Sequence, residues 1–162
     1  GGDGTFDKDL ITPASTIVTY NDRHWLYYGG ANERHGTPEV VFPRKHAIGV
    51  ATLRLDGFIS LTADESPAIL ETKPFRLAGN GLEINVEAHH GQLRVEVLDP
   101  KADPIPGFAG KEAKAIDDLR FAPSWTKPLG SLRGKLIRLR FHLRNASIYS
   151  FRIVSRDSED KP

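Results

Sequence analysis

The most regular stretch of the chain is Leu136-Ile137-Arg138-Leu139-Arg140-Phe141-His142-Leu143-Arg144. Ile137, Leu139, Phe141 and Leu143 alternate there with Arg138, Arg140, His142 and Arg144. A period of two sends the two sets to opposite sides of a β-strand, so the apolar set faces a core and the basic set faces outward. Asn145-Ala146-Ser147 then reads as a tight reversal, with residues 148–154 as the returning strand of a hairpin. The same alternation predicts a second hairpin, 82–88 and 92–98, turning at His89-His90-Gly91. Residues 48–55 and 58–61 flank Asp56-Gly57, a dipeptide that accepts the positive φ of a hairpin turn. A further pair, 17–20 and 25–28, is joined through Asn21-Asp22-Arg23-His24.

With 15 Gly and 11 Pro cutting the apolar stretches short, the pattern predicts an all-β fold. The expected architecture is a β-sandwich of jelly-roll type over residues 46–155, with residues 1–45 as an N-terminal β-hairpin appendage and 156–162 as a charged tail. Pro38, Pro43 and Arg44-Lys45 mark the boundary as a linker within 37–46. Residues 99–135, with Asp99-Pro100, Pro104-Ile105-Pro106-Gly107 and Pro123, form a long irregular connection with a helical turn near 111–116.

Composition narrows the function. The 162 residues suit one domain with a short appendage. Twenty-two Lys and Arg against 21 Asp and Glu leave a net charge of +1, too little for a global field that recruits nucleic acid or an anionic membrane. No apolar run approaches the roughly 18 residues of a membrane span, and Gly-Gly-Asp-Gly is neither a signal nor a transit sequence, which suggests a processed or excised piece. The absence of Cys removes disulfides, thiolate metal sites and cysteine nucleophiles. No cofactor is expected beyond a loose calcium site at Asp3, Thr5, Asp7 and Asp9, whose run lacks the Gly and terminal Glu of an EF-hand loop. Gly107-Phe108-Ala109-Gly110-Lys111 is too short between its glycines for a phosphate loop, and the adjacent His89 and His90 diverge on a strand.

Aromatic side chains offer the candidate chemistry, because their faces stack on the C–H faces of pyranose rings. Trp25 and Tyr27 share one face of their strand and Tyr28 takes the other. Trp125, in the long connection, is placed to reach solvent from a loop; the competing reading is a plug beneath that loop. Arg140, with its basic neighbours on the strand at 136–144, is a candidate for the carboxylate or sulfate of an acidic polysaccharide, against the competing reading of cross-strand pairing with Glu83, Glu87 and Glu96.

Phe6-Asp7-Lys8-Asp9-Leu10-Ile11-Thr12-Pro13, then Trp25-Leu26-Tyr27-Tyr28-Gly29-Gly30-Ala31-Asn32 and Arg34-His35-Gly36, resembles the last blade of five-bladed β-propeller glycoside hydrolases of the arabinanase and fructosidase type. Ile48-Gly49-Val50-Ala51-Thr52-Leu53-Arg54-Leu55-Asp56-Gly57-Phe58, Thr72-Lys73-Pro74-Phe75 and the stretch 138–149 resemble the β-sandwich that follows such propellers in bacterial glycosidase-like proteins. The resemblance implies that Asp7 and His35 face a propeller axis, with His35 lining a sugar site. It also implies that the catalytic carboxylates lie in other blades, since a glycosidase needs two of them across one bond and a single blade cannot supply that pair. The expectation is a non-catalytic, carbohydrate-associated module that contacts polysaccharide or oligosaccharide through Trp125, Trp25, Tyr27, Tyr28, His35 and Arg140. The alternative is a structural module that buttresses an upstream propeller domain. Either role places the protein outside the cell or in the periplasm.

Overall fold

The computed structural model describes residues 1–36 and 43–156. The protein is all-β, with one short 3₁₀ helix, Leu129–Leu132, among the described residues. It divides into two compact units, residues 1–58 and 59–162.

The first unit is built on β3 (Arg23–Ala31). Along one edge of β3 lie β1 (Leu10–Pro13) and then β2 (Val18–Tyr20); along the other lies β4 (His46–Arg54), and every pairing is antiparallel. The turn from β2 to β3 is only two residues long, because Asn21 and Asp22 both adopt positive φ, 49° and 56°. That geometry matches the twist of a hairpin, and it leaves His24 already paired with Thr19. Residues 46–54, expected in the sandwich, belong to this first sheet: β4 pairs with β3 from Arg23↔Arg54 to Ala31↔His46. The proline-marked stretch before them therefore joins two strands of one sheet, and the unit boundary falls after Phe58. Asp56, at φ 55°, does turn the chain, with the Gly57 N–H donating to the Arg54 carbonyl at 2.9 Å. That turn leads out of the sheet, and no ladder joins β4 to the next strand among the described residues.

The second unit contains β5 (Leu61–Ala63), β6 (Ala68–Glu71), β7 (Phe75–Arg76), β8 (Gly81–Leu98), β9 (Ala113–Phe121), β10 (Leu136–Arg144) and β11 (Ala146–Val154). Both of its predicted hairpins are corrected. Residues 81–98 form a single strand of 18 residues. Its second half pairs with β10, from Arg138↔Leu98 to Arg144↔Gln92, and its first half with β11, from Ser147↔Glu87 to Val154↔Gly81. β10 and β11 thus continue one another along the same edge of β8. The segments His89-His90-Gly91 and Asn145 are facing creases in two long strands, where a turn was expected at each. An alternating pattern broken by Gly or Asn looks the same in either case, because both need a residue free to leave the β region. Asn145 sits at φ 45°, and Gly91 lies so close to the carbonyls of Arg144 and Asn145 that no Cβ would fit between them.

The crease runs across the whole sheet. On the outer edge, β5, β6 and β7 follow the β10 and β11 line as three short pieces, and the Asn145 N–H donates to Asp64 O at 2.7 Å between the first two. On the far edge β9 pairs with β8 through a register shift, with Ala115 at φ 53°. β9 begins at Ala113, where a helical turn was expected, so the long connection contains a strand.

Backbone hydrogen bonds then bring the two ends of the creased sheet together. Leu77 donates to Lys135 O at 3.0 Å and Asn80 to Val154 O at 3.0 Å, so three residues step from the start of β10 to the end of β11. The Phe141 ring lies 5.7 Å from Phe151, which lies 6.3 Å from Phe75. The alternating apolar set is buried as predicted: Ile137, Leu139, Phe141 and Leu143 join Ile84, Val86, Leu93, Val95 and Val97 in one core.

Candidate functional site

The paired strands of the first sheet set its two faces, because residues opposite each other in an antiparallel ladder point the same way. One face is covered. The Tyr28 ring sits over Gly49, its cross-strand partner, stacks on Phe6 at 6.2 Å, and donates its hydroxyl to Asp7 Oδ2 at 2.8 Å. That bond holds the Asp7 carboxyl below the usual carboxylate range and pushes the Tyr28 phenol up. Asp7 and Tyr28 are thus committed to each other. Asp3 is likewise paired, with Lys8 at 2.8 Å, and no group of three or more metal-ligating side chains occurs among the described residues.

The other face is open. Val18, Trp25 and Thr52 form one row across it, Tyr27 and Val50 the next, and Thr12, Gly29 and Ile48 the next; Tyr20 extends it at the far end. Tyr20 is 64% exposed, Tyr27 45% and Ile48 83%. Trp25 is partly buried between them, its indole N–H donating to Tyr20 O at 3.0 Å, which fixes the ring against the hairpin.

Gly29 and Ile48 also line a cleft of about 650 Å³ at the β1 end of this face. The chain leaves β3 at Ala31 and places Glu33, Arg34, His35 and Gly36 along one wall; Arg44 and His46 return along another. Glu33 is held by both, through Arg44 Nε at 3.3 Å and His46 Nε2 at 2.9 Å. Asn32 secures the returning chain, accepting from the Lys45 N–H at 2.8 Å and donating to Pro43 O at 2.9 Å.

Of the six candidates, the sequence therefore places three on this surface: Trp25 and Tyr27 on the open face, and His35 on the cleft wall. Tyr28 takes the covered face. Trp125 and Arg140 belong to the second unit and are engaged there. The Trp125 indole donates to Val95 O at 2.9 Å and packs on Phe108 at 6.2 Å, and the residue stays partly exposed on the wall of a cleft shared with Asn80, Pro123 and Lys127. Arg140 donates twice to Glu71 Oε2, at 3.1 and 2.9 Å, and lies 3.7 Å from Glu96. Arg138 also binds Glu71, and His142 and Arg94 bind Glu96, so the basic strand face is a half-buried charge lattice. Burial raises the Glu96 pKa, but the hydrogen bonds from His142 and Arg94 outweigh it and hold the carboxyl below its usual value.

The residues that sequence reasoning missed are Tyr20, Ile48 and Val50 on the face and Glu33, Arg44 and His46 in the cleft. The alternation of His46, Ile48, Val50 and Thr52 was the available signal. That alternation marks a strand but does not say which strand it pairs with, and Arg44-Lys45 reads as the end of a linker.

No protein-family model matches the chain, and no solved structure matches it significantly. The chain is 24% identical over 153 residues to a protein named as a probable glutaminase of the fungus Arthroderma benhamiae, an alignment that covers 94% of this chain and 17% of the fungal protein. The chain thus spans about a sixth of the length of the curated relative it matches.

Proposed function

We propose that the chain is a non-catalytic, carbohydrate-associated β module of a larger hydrolase that works outside the cell, and that the open face of its first sheet holds glycan. One observation carries this reading: Tyr20, Trp25 and Tyr27 share an uncovered face that runs into a cleft lined by hydrogen-bonding side chains. Aromatic rings supply stacking area at little entropic cost, and the adjoining polar groups fix orientation. A shallow face of this kind buries little of a hydrated sugar, so dissociation constants in the micromolar to millimolar range are expected, about −8 to −4 kcal/mol. The acidic group of the cleft, Glu33, is already paired with the Arg44 guanidinium and hydrogen-bonded to His46, which suits binding better than hydrolysis.

The test is affinity electrophoresis through a panel of polysaccharides. Tyr27→Ala and Tyr20→Ala should abolish the retardation of the wild-type chain, and Trp125→Ala, in the second unit, should retain it at a temperature where the variant is folded. The same preparations should release no ammonia from glutamine and cleave no aryl glycoside. Absence of retardation for the wild-type chain on every polysaccharide would overturn the reading.

A second reading has its own observation. Ile48 and Val50 are exposed aliphatic residues in the middle of the same face, and a neighbouring protein domain covers such groups better than a sugar does. In that case the face buttresses the rest of the parent enzyme. Ile48→Lys would then lower the melting temperature of the full-length protein, while leaving that of this chain unchanged.

A further inference from the structure

We infer that the cleft at the β1 end of the first sheet selects glycans bearing a carboxylate, uronic-acid polymers in particular, over neutral ones. The inference rests on the reading of the open face as a glycan surface and names the class of glycan.

Charge is the first argument. Among the described residues that line the cleft, Arg34, His35, Arg44 and His46 are basic and Glu33 alone is acidic. Arg44 and Arg34 put two guanidinium groups in this lining. Geometry is the second. Glu33 is mostly buried at 23% side-chain exposure, whereas Arg44 and His46 keep 55% and 57% of theirs in solvent. The carboxylate therefore acts as an internal anchor that holds the Arg44 guanidinium from its Nε side while leaving the group accessible. A positioned guanidinium is a planar donor fork matched to a carboxylate, and being held in place it loses less entropy when the ligand arrives.

Room for the sugar is the third. Gly29 lies on the cleft side of β3, and a Cβ built there meets only Thr12 O, at 3.9 Å. A pyranose ring can approach this bare backbone closely, with its carboxylate toward Arg44 and its next residue toward Tyr27, one step along the same face.

The experiment compares a galacturonate oligosaccharide with the same oligosaccharide after its carboxyl groups have been reduced to hydroxymethyl groups, by titration calorimetry on the wild-type chain. The acidic form should bind about tenfold more tightly than the reduced one, with the difference shrinking as salt is raised. Arg44→Gln should remove the difference, and Lys73→Gln, on the other unit, should leave it intact. Glu33→Gln, which loosens the anchor of Arg44, should weaken binding of the acidic form and leave that of the reduced form unchanged, a selective loss that misfolding cannot imitate. Gly29→Val, whose Cβ meets only the Thr12 carbonyl oxygen at an ordinary contact distance of 3.9 Å, should fill the cleft and weaken both forms. Equal binding of the two sugars would overturn this inference and leave the glycan reading standing. Binding of neither, together with absence of retardation on the polysaccharide panel, would remove both.

Discussion

At the scale of single residues, the clearest electrostatic commitment is Glu96. Its carboxylate accepts from His142 Nε2 at 2.8 Å and from Arg94, with Arg140 behind at 3.7 Å. Burial alone would favour the neutral acid, and the hydrogen bonds from His142 and Arg94 reverse that preference, so the folded pKa lies below the ordinary value of 4.5. The unfolded chain therefore binds the proton more tightly. The stabilisation is present above about pH 4.5 and is lost as the pH falls through the lower folded value. Glu96→Gln should destabilise the chain by roughly 1–3 kcal/mol at neutral pH and flatten the acid limb of its stability curve. Urea unfolding at a series of pH values measures both, and an unchanged acid limb would show that the lattice contributes nothing. Trp125 combines its two readings: the indole N–H is bonded to Val95 O, yet the residue stays partly exposed on the wall of a cleft.

At the scale of elements, the crease is what makes two long strands into a core. Gly91 is its tightest point, because a Cβ there collides with the backbone carbonyls of Arg144 and Asn145, atoms that cannot rotate aside. Gly91→Ala should cost about 1–3 kcal/mol by forcing the two strands apart; thermal unfolding would register it, and a neutral result would mean that the crease opens easily. The face of each strand was legible from the sequence, since Ile137, Leu139 and Phe141 are buried as their alternation requires. What the strands pair with was not legible. A break at His89-His90-Gly91 has the composition of a turn, and only the Ser147↔Glu87 and Arg144↔Gln92 pairings reveal that the chain carries straight on. The same blindness hid the cleft, for Arg44 and His46 meet Glu33 only because residues 46–54 pair with β3. Local pattern reports the side of a strand, and long-range register reports its neighbour.

At the scale of the whole molecule, burial is uneven. Of the buried apolar residues among those described, Ala31 alone belongs to the first unit, and the rest lie between Ala63 and Ile148. The first sheet leaves Tyr20, Tyr27, Ile48 and Val50 exposed on one face, and the second unit holds the packed core. The order in which that core can form is set by the strand order. The line of β10 and β11 lies between β5, β6 and β7 on one side and β8 on the other, although it is last in sequence. A ribosome therefore releases the two flanking strands well before the one that separates them. Until then each has an unsatisfied edge, and the contacts that satisfy it are long-range, from the pairing of Arg138 with Leu98 to that of Ile148 with Leu61. Refolding should be slow, on the order of milliseconds to seconds. A chain stopped at residue 135 should aggregate, and adding the missing segment as a peptide during refolding should rescue solubility. If the shortened chain instead stays monomeric by sedimentation, the central strand is dispensable for closing those edges.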